Sequence, residues 1–242
     1  MQSTPGKPTD GPRSRWIDID AANAPGFKGY LSLPPTGSGP GLVIIQEIWG
    51  VNNHIRAVAD QYAQDGYVVL APDVFWRMKP GVELDYTESD SKQAFTYLQN
   101  LDFTKAVEDL TRTVQVLRAL PEQKGDVASL GFCMGGLLSY LCAAHAGVDA
   151  AVCYYGGGIH TKLDQAPQIK CPILFHFAEN DSYIPADAID AVKAAFKDRR
   201  NAMIETYPDV GHGFNCWGRP SYNQKAAAIA HGLSLSFLGK VL

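Results

Sequence analysis

The sequence predicts an α/β fold, a mostly parallel central sheet with helices on both faces, and three observations carry that expectation. Short continuous apolar runs such as Leu42-Val43-Ile44-Ile45 recur along the chain, as strands covered on both faces require. Helix-like segments alternate with them, the rhythm of βαβ units. The residues with chemical promise fall just past the ends of the apolar runs, where such sheets place their function. The chain has 242 residues, 46% of them hydrophobic, enough for one domain with a substantial core.

The elements follow in order. Residues 1–15 are polar and rich in Pro and Gly, ending at Arg15, and read as a disordered arm ahead of one domain over residues 16–242. Segments 16–20 and 27–33 flank Ala24-Pro25-Gly26 and read as a hairpin at one sheet edge. Residues 34–41 form a Gly/Pro linker. Strands are expected at 42–45, 67–70, 127–130, 151–155, 173–177 and 203–207. Helices are expected at about 52–64, 104–120, 134–146, 187–197 and 221–238, the second with Val107, Leu110, Val114 and Leu117 on one stripe. Residues 80–90 read as an irregular excursion. There is no internal repeat.

Composition narrows the function classes. The formal net charge is -4 and no basic block exists, which argues against a nucleic-acid partner. No run of about 18 apolar residues occurs, so no membrane span is expected. The first fifteen residues lack the apolar stretch of a signal peptide. Five cysteines occur, an odd number with no C-x-x-C pair, which fits reduced thiols in a cytoplasmic protein better than a disulfide framework or a zinc site. Nothing in the pattern chooses between a monomer and a small homo-oligomer.

After the 127–130 strand comes Gly131-Phe132-Cys133-Met134-Gly135-Gly136, the G-x-nucleophile-x-G form of a strand-to-helix elbow with cysteine as the nucleophile. The glycines make room where side chains would strike backbone. The following helix offers its N-terminus to the thiol, which favours thiolate. The bland reading, a small buried cysteine near a flexible loop, does not explain this position between a strand and a helix of small residues. Cys142, Cys153 and Cys171 carry no motif, and Cys216 lies four positions past His212, close enough to line a site.

An acid and then a histidine should follow the nucleophile in chain order. Asp181 comes just after the 173–177 strand, with Glu179 and Asp187 as alternatives; Asp187 reads better as a helix cap. His212 stands between two glycines after the 203–207 strand, where packing gives a histidine no reason to be. His54, His145 and His231 fall within helices, His160 follows a Gly run in a loop, and His176 inside a strand reads as a satisfied core residue. Asp181 would set the tautomer of His212, and His212 would hold Cys133 as thiolate. Glu47 follows the first parallel strand directly, so its carboxylate needs a partner or a raised pKa; the alternative is a solvated loop carboxylate. The same loop supplies one oxyanion-hole amide in such folds, here Ile48 N–H, with Met134 N–H as the second.

At this point the sequence resembles the dienelactone hydrolase (carboxymethylenebutenolidase-like) family of the α/β-hydrolase fold, from about residue 26 to residue 238. The resemblance rests on Gln46-Glu47-Ile48-Trp49-Gly50, Ala71-Pro72-Asp73, Gly131 to Gly136, Tyr154-Tyr155-Gly156, Phe175-His176-Phe177 with Asp181, and Gly211-His212-Gly213-Phe214. It implies a Cys133–Asp181–His212 triad, and a glutamate, Glu47, that takes the thiol proton when substrate arrives. It implies a substrate-carboxylate fork at Arg77, and substrate contacts at Trp49 and Tyr155. The best-known members carry Ser directly after the histidine and Arg four positions beyond it. This chain has Gly213 and Cys216 there, and Arg219 is the nearby substitute.

A thiolate leaves a tetrahedral intermediate more readily than an amine does, but less readily than an enolate or activated alkoxide. The expected substrate is therefore a small, anionic lactone or ester, cleaved through an acyl-enzyme with no cofactor and no metal. A carboxylesterase or thioesterase without a carboxylate requirement is the alternative, separable by turnover of a dienelactone against p-nitrophenyl acetate. A non-catalytic binder on the same fold is a third reading, which an intact triad disfavours.

Overall fold

A computed structural model of the chain describes residue 11 and residues 13–242. The first strand, β1 (Arg13–Asp18), pairs antiparallel with β2 (Lys28–Leu33), the hairpin at the sheet edge. β1 begins at Arg13, so the last three residues of the segment expected to be an unstructured arm are strand; the rest of that segment, Gly11 aside, lies outside the described residues. The remaining strands are β3 (Gly39–Ile45), β4 (Val68–Pro72), β5 (Gln123–Phe132), β6 (Ala150–Tyr154), β7 (Ile173–Ala178) and β8 (Ala202–Tyr207). The sheet order is β1-β2-β4-β3-β5-β6-β7-β8, with β2 antiparallel to β4 and every pair from β4 to β8 parallel. β4, β6 and β7 are buried along their whole length, as strands covered on both faces must be.

Helices α1 (Asn53–Gln64), α2 (Glu88–Asn100), α3 (Phe103–Ala119), α4 (Met134–His145), α5 (Ala186–Phe196) and α6 (Gln224–Val241) connect and cover the strands. The order steps one way from β3 to β4 and the other way from β4 to β5, so right-handed crossovers put α1 and α3 on opposite faces. α6 joins α1, where the His231 ring lies 4.8 Å from that of Tyr62 and its Nε2 3.1 Å from Asp65. α3 packs against α4 on the other face. Side-chain caps fix several starts: Asn52 accepts from Ile55 N–H, Asp102 from Thr104 and Lys105 N–H, and Asn223 from Ala226 N–H. α4 has no such cap, because its N-cap position is Cys133.

Two expectations change. The chain after residue 87 is not irregular: α2 runs from Glu88 to Asn100, capped by Thr87, whose side chain accepts from Asp90 N–H. Only Ala94 of this helix is fully buried, so it carries no apolar stripe of the kind that reveals a core helix. The segment read as a Gly/Pro linker ends early, since Gly39 already belongs to β3. No helix among the described residues is long and apolar enough to cross a membrane.

Candidate active site

The loops after β3, β5, β7 and β8 meet at one end of the sheet. Cys133 is the first residue beyond β5, with φ 56° and ψ -116°, a left-handed region that non-glycine residues rarely occupy. Its backbone is clamped: Cys133 N–H donates to Tyr154 O at 3.0 Å, and its carbonyl accepts from Gly136 N–H at 2.9 Å. A side chain at Gly131 would strike the Gly135 carbonyl, and one at Gly135 would strike the Ile45 carbonyl. The elbow is therefore too tight for any residue but glycine at either place. Met134 opens α4, and its N–H, ahead of the helix's own bonds, lies at the positive end of the helix dipole.

Asp181 is held in the turn after β7, where Oδ1 accepts from Tyr183 N–H at 2.8 Å and Ile184 N–H at 3.1 Å. Its Oδ2 lies 2.7 Å from Nδ1 of His212, and both residues are buried. That bond leaves Nε2 of His212 for Cys133. Burial alone would lower the His212 pKa. The negative charge of the Cys133 thiolate and the bonds to Asp181 and Cys133 outweigh it and lift the pKa to about 10. A pKa of about 10 favours the imidazolium form of His212 at neutral pH. The rings of Tyr155 and Tyr183 flank His212 edge-on at 5.0 Å and 4.9 Å.

Cys133 and His212 line one cavity of about 240 Å³, with Ile48, Trp49, Met134 and Arg219. Its remaining wall is mostly apolar: Phe95 and Leu98 from α2, Phe103 at the start of α3 and Leu137 of α4, with Tyr183 beside them. The volume is somewhat below the roughly 300–1,000 Å³ usual for drug-sized ligands, so it suits a small molecule.

Glu47 is almost completely buried. Burial raises its pKa, and the adjacent Arg219 guanidinium opposes that rise. Arg219 Nη1 lies 3.2 Å from Glu47 Oε1, and its Cζ sits 4.8 Å above the Trp49 ring. Gly213, at φ +82°, lets the arginine in, because a Cβ there would fall on the guanidinium.

Two expected contacts are placed elsewhere. Arg77 does not line the Cys133 cavity; Nε and Nη2 are both 2.8 Å from the Asp109 carboxylate, and its Cζ stacks 4.6 Å from the Trp76 ring. A planar fork already filled by a carboxylate in its own protein is not offered to a substrate. Tyr155, at φ 35°, is fully buried behind His212 and is not among the residues lining the cavity. His176 is a satisfied core residue: its ring nitrogens reach Tyr207 Oη at 2.8 Å and Ser234 Oγ at 3.0 Å, and burial lowers its pKa to about 3. Sequence reasoning missed the wall residues Phe95, Leu98, Phe103 and Tyr183. It also missed His54, which is buried with neither ring nitrogen partnered, its pKa lowered to about 4 by burial and by Arg219.

Comparison with known proteins places this geometry. The model of the dienelactone hydrolase family matches residues 27–242. The chain belongs to the dienelactone hydrolase family. It is a hydrolase of that family, and its sheet is that of the α/β-hydrolase fold. Carboxymethylenebutenolidase 1 of Cupriavidus pinatubonensis is 33% identical over 223 residues, covering 92% of this chain and 95% of the relative. A putative carboxymethylenebutenolidase of Azospirillum brasilense is 35% identical over 226 residues, covering 91% and 96%. Among solved structures, a putative dienelactone hydrolase from Klebsiella pneumoniae superposes with a TM-score of 0.81 at 24% identity, covering 95% of this chain and 99% of that one.

Proposed function

We propose that this dienelactone hydrolase family member cleaves small, anionic lactones or esters through a Cys133 acyl-enzyme. The observation that carries the reading is the meeting in one cavity of Cys133, on its strained elbow at the start of α4, with His212, itself bonded to Asp181. The thiolate attacks the carbonyl carbon, and the oxygen takes up the negative charge. Met134 N–H and Ile48 N–H are the donors for that charge. As the C–O bond breaks, the His212 imidazolium gives its proton to the leaving enolate or alkoxide. Water then attacks the thioester, losing a proton to His212, and the thiolate departs with the acid product released. Asp181 keeps the proton on Nδ1 and steadies the imidazolium.

The electrostatics favour Arg219 over Arg77 as the group that meets a substrate carboxylate, since Arg219 lines the cavity and stacks on Trp49. A substrate anion there competes with Glu47 for the guanidinium. A released Glu47 becomes a stronger base, which links substrate arrival to proton removal from any Cys133 thiol. One observation favours a second reading, an esterase with no carboxylate requirement: most of the lining is apolar, and its guanidinium is already paired.

Iodoacetamide labelling followed by mass spectrometry tests the nucleophile. Cys133 should be alkylated first, with activity falling in step, because Cys142, Cys153 and Cys216 are buried and the half-buried Cys171 has its pKa pushed up to about 11. Full activity with Cys133 alkylated ends the reading.

A further inference from the structure

Three buried side chains from three separate segments converge close to the cavity and leave several of their polar atoms unpaired. Glu47 follows β3, His54 lies in the first turn of α1, and Cys216 belongs to the loop after β8. One donor atom from each lies within 4.8 Å of the other two. Their exposures are 1%, 3% and 0% respectively. Glu47 Oε2 has no hydrogen-bond partner, and neither does Nδ1 or Nε2 of His54.

An imidazole presents at least one donor, and leaving a buried polar atom unmet costs about 1–3 kcal/mol. Three unmet atoms in one place stand out against His176, which is deeper still and satisfied at both nitrogens. A carboxylate oxygen, an imidazole nitrogen and a sulfur share one capacity, the donation of an electron pair. That combination matches borderline-soft cations and not magnesium or calcium, which take oxygen ligands.

We propose that Glu47 Oε2, one ring nitrogen of His54 and Cys216 Sγ form a binding site for a zinc-class divalent cation. Arg219 holds the other carboxylate oxygen, Oε1, and leaves Oε2 available. On binding, the thiol proton of Cys216 leaves to solvent and a metal–sulfur bond replaces the S–H bond. The carboxylate and the thiolate then carry two negative charges against the cation, and the buried group, neutral before as the Arg219–Glu47 pair, gains a net charge of one. Three protein ligands leave a fourth position open. The surroundings suit this change. Cys216 Sγ now donates to Tyr86 Oη at 3.1 Å, and Asn52 Nδ2 donates to the same oxygen at 3.2 Å. A tyrosine hydroxyl can turn its own hydrogen toward the thiolate, as outer groups of metal sites do. The His54 ring is fixed edge-on to Trp217 at 4.2 Å.

If Glu47 serves the reaction as set out above, a cation on its carboxylate inhibits hydrolysis; that consequence rests on the proposed function, whereas the site itself does not. Cobalt(II), a spectroscopic substitute for zinc, is titrated into the Cys133→Ser protein, which lacks the more accessible thiol. One equivalent should bind with a thiolate-to-cobalt charge-transfer band, and zinc should displace it. Adding Cys216→Ser should remove the band, and adding His54→Gln should weaken binding by at least about tenfold. Melting curves establish that each variant is folded, and Cys216→Ala replaces Cys216→Ser where serine is not tolerated. No saturable binding by folded Cys133→Ser protein overturns the site, as does a band that survives loss of Cys216. Binding without inhibition of the native enzyme leaves the site standing and removes the assigned role of Glu47.

Discussion

The floor and the outer wall of the cavity are built in different ways. The floor is made of strand-end loops: Cys133, His212 and Ile48 line it, and Asp181 and Glu47 lie on loops of the same kind, held by backbone bonds or an ion pair. The outer wall is α2 together with the Tyr183 side chain, where Phe95 is 38% exposed and Tyr183 56% exposed. The floor is fixed by the sheet, so changing it should alter chemistry. The wall is a half-exposed apolar surface, so changing it should alter fit. Kinetics can break that division, because floor variants should act on kcat and wall variants on KM.

The largest effect is expected from His212→Ala, which should lower kcat by a factor on the order of 10³ or more in a protein that melting curves show to be folded. Asp181→Asn should approach it, by presenting the wrong nitrogen proton to Cys133. If His176→Ala proved the more damaging change in a folded protein, the floor would have been assigned to the wrong histidine. Arg219→Ala comes next. It removes a charged hydrogen bond worth about 1.5–3 kcal/mol, roughly one to two decades in kcat/KM on a carboxylated lactone. Turnover of neutral p-nitrophenyl acetate should change far less, and equal losses on both would favour the esterase reading. Arg77→Ala should spare both activities and lower stability by about 1 kcal/mol, as Asp109 keeps only the Trp76 indole among its present side-chain donors. The smallest effect belongs to the wall: Phe95→Ala should raise KM a few-fold at nearly constant kcat. A fall in kcat matching that of His212→Ala would erase the distinction between floor and wall.

The raised pKa of His212 adds a pH test. A histidine whose folded pKa exceeds its unfolded value, about 6.5, gives its full stabilisation below that value and loses it as pH rises through the folded pKa. With the folded value near 10, both kcat/KM and the stability owed to the ion pair should decline as pH passes about 10. In His212→Gln the stability decline attributable to this group should vanish from the melting curves.

The same division governs what the sequence discloses. Cys133, Asp181 and His212 are legible because each follows an apolar run, and the chain order and the glycines around the elbow restrict the choices. The sheet is legible for the same reason. α2 is not: Phe95 and Leu98 turn to the cavity and only Ala94 is buried in full, so no stripe forms. Arg77 sits at the right distance past a strand, but Asp109, 32 residues onward, takes its guanidinium, and local sequence cannot reveal a partner so far away. His54 looks like any helical histidine until Glu47 and Cys216 are seen beside it.

Gly213 has a consequence for charge placement. Any β-carbon at that position would meet the Arg219 guanidinium, and the residue also has φ +82°. The guanidinium is the flexible end of its side chain, so a larger residue at 213 would push it off Glu47 and Trp49 rather than block the fold. A glycine with no side chain of its own therefore decides where the positive charge beside the cavity stands.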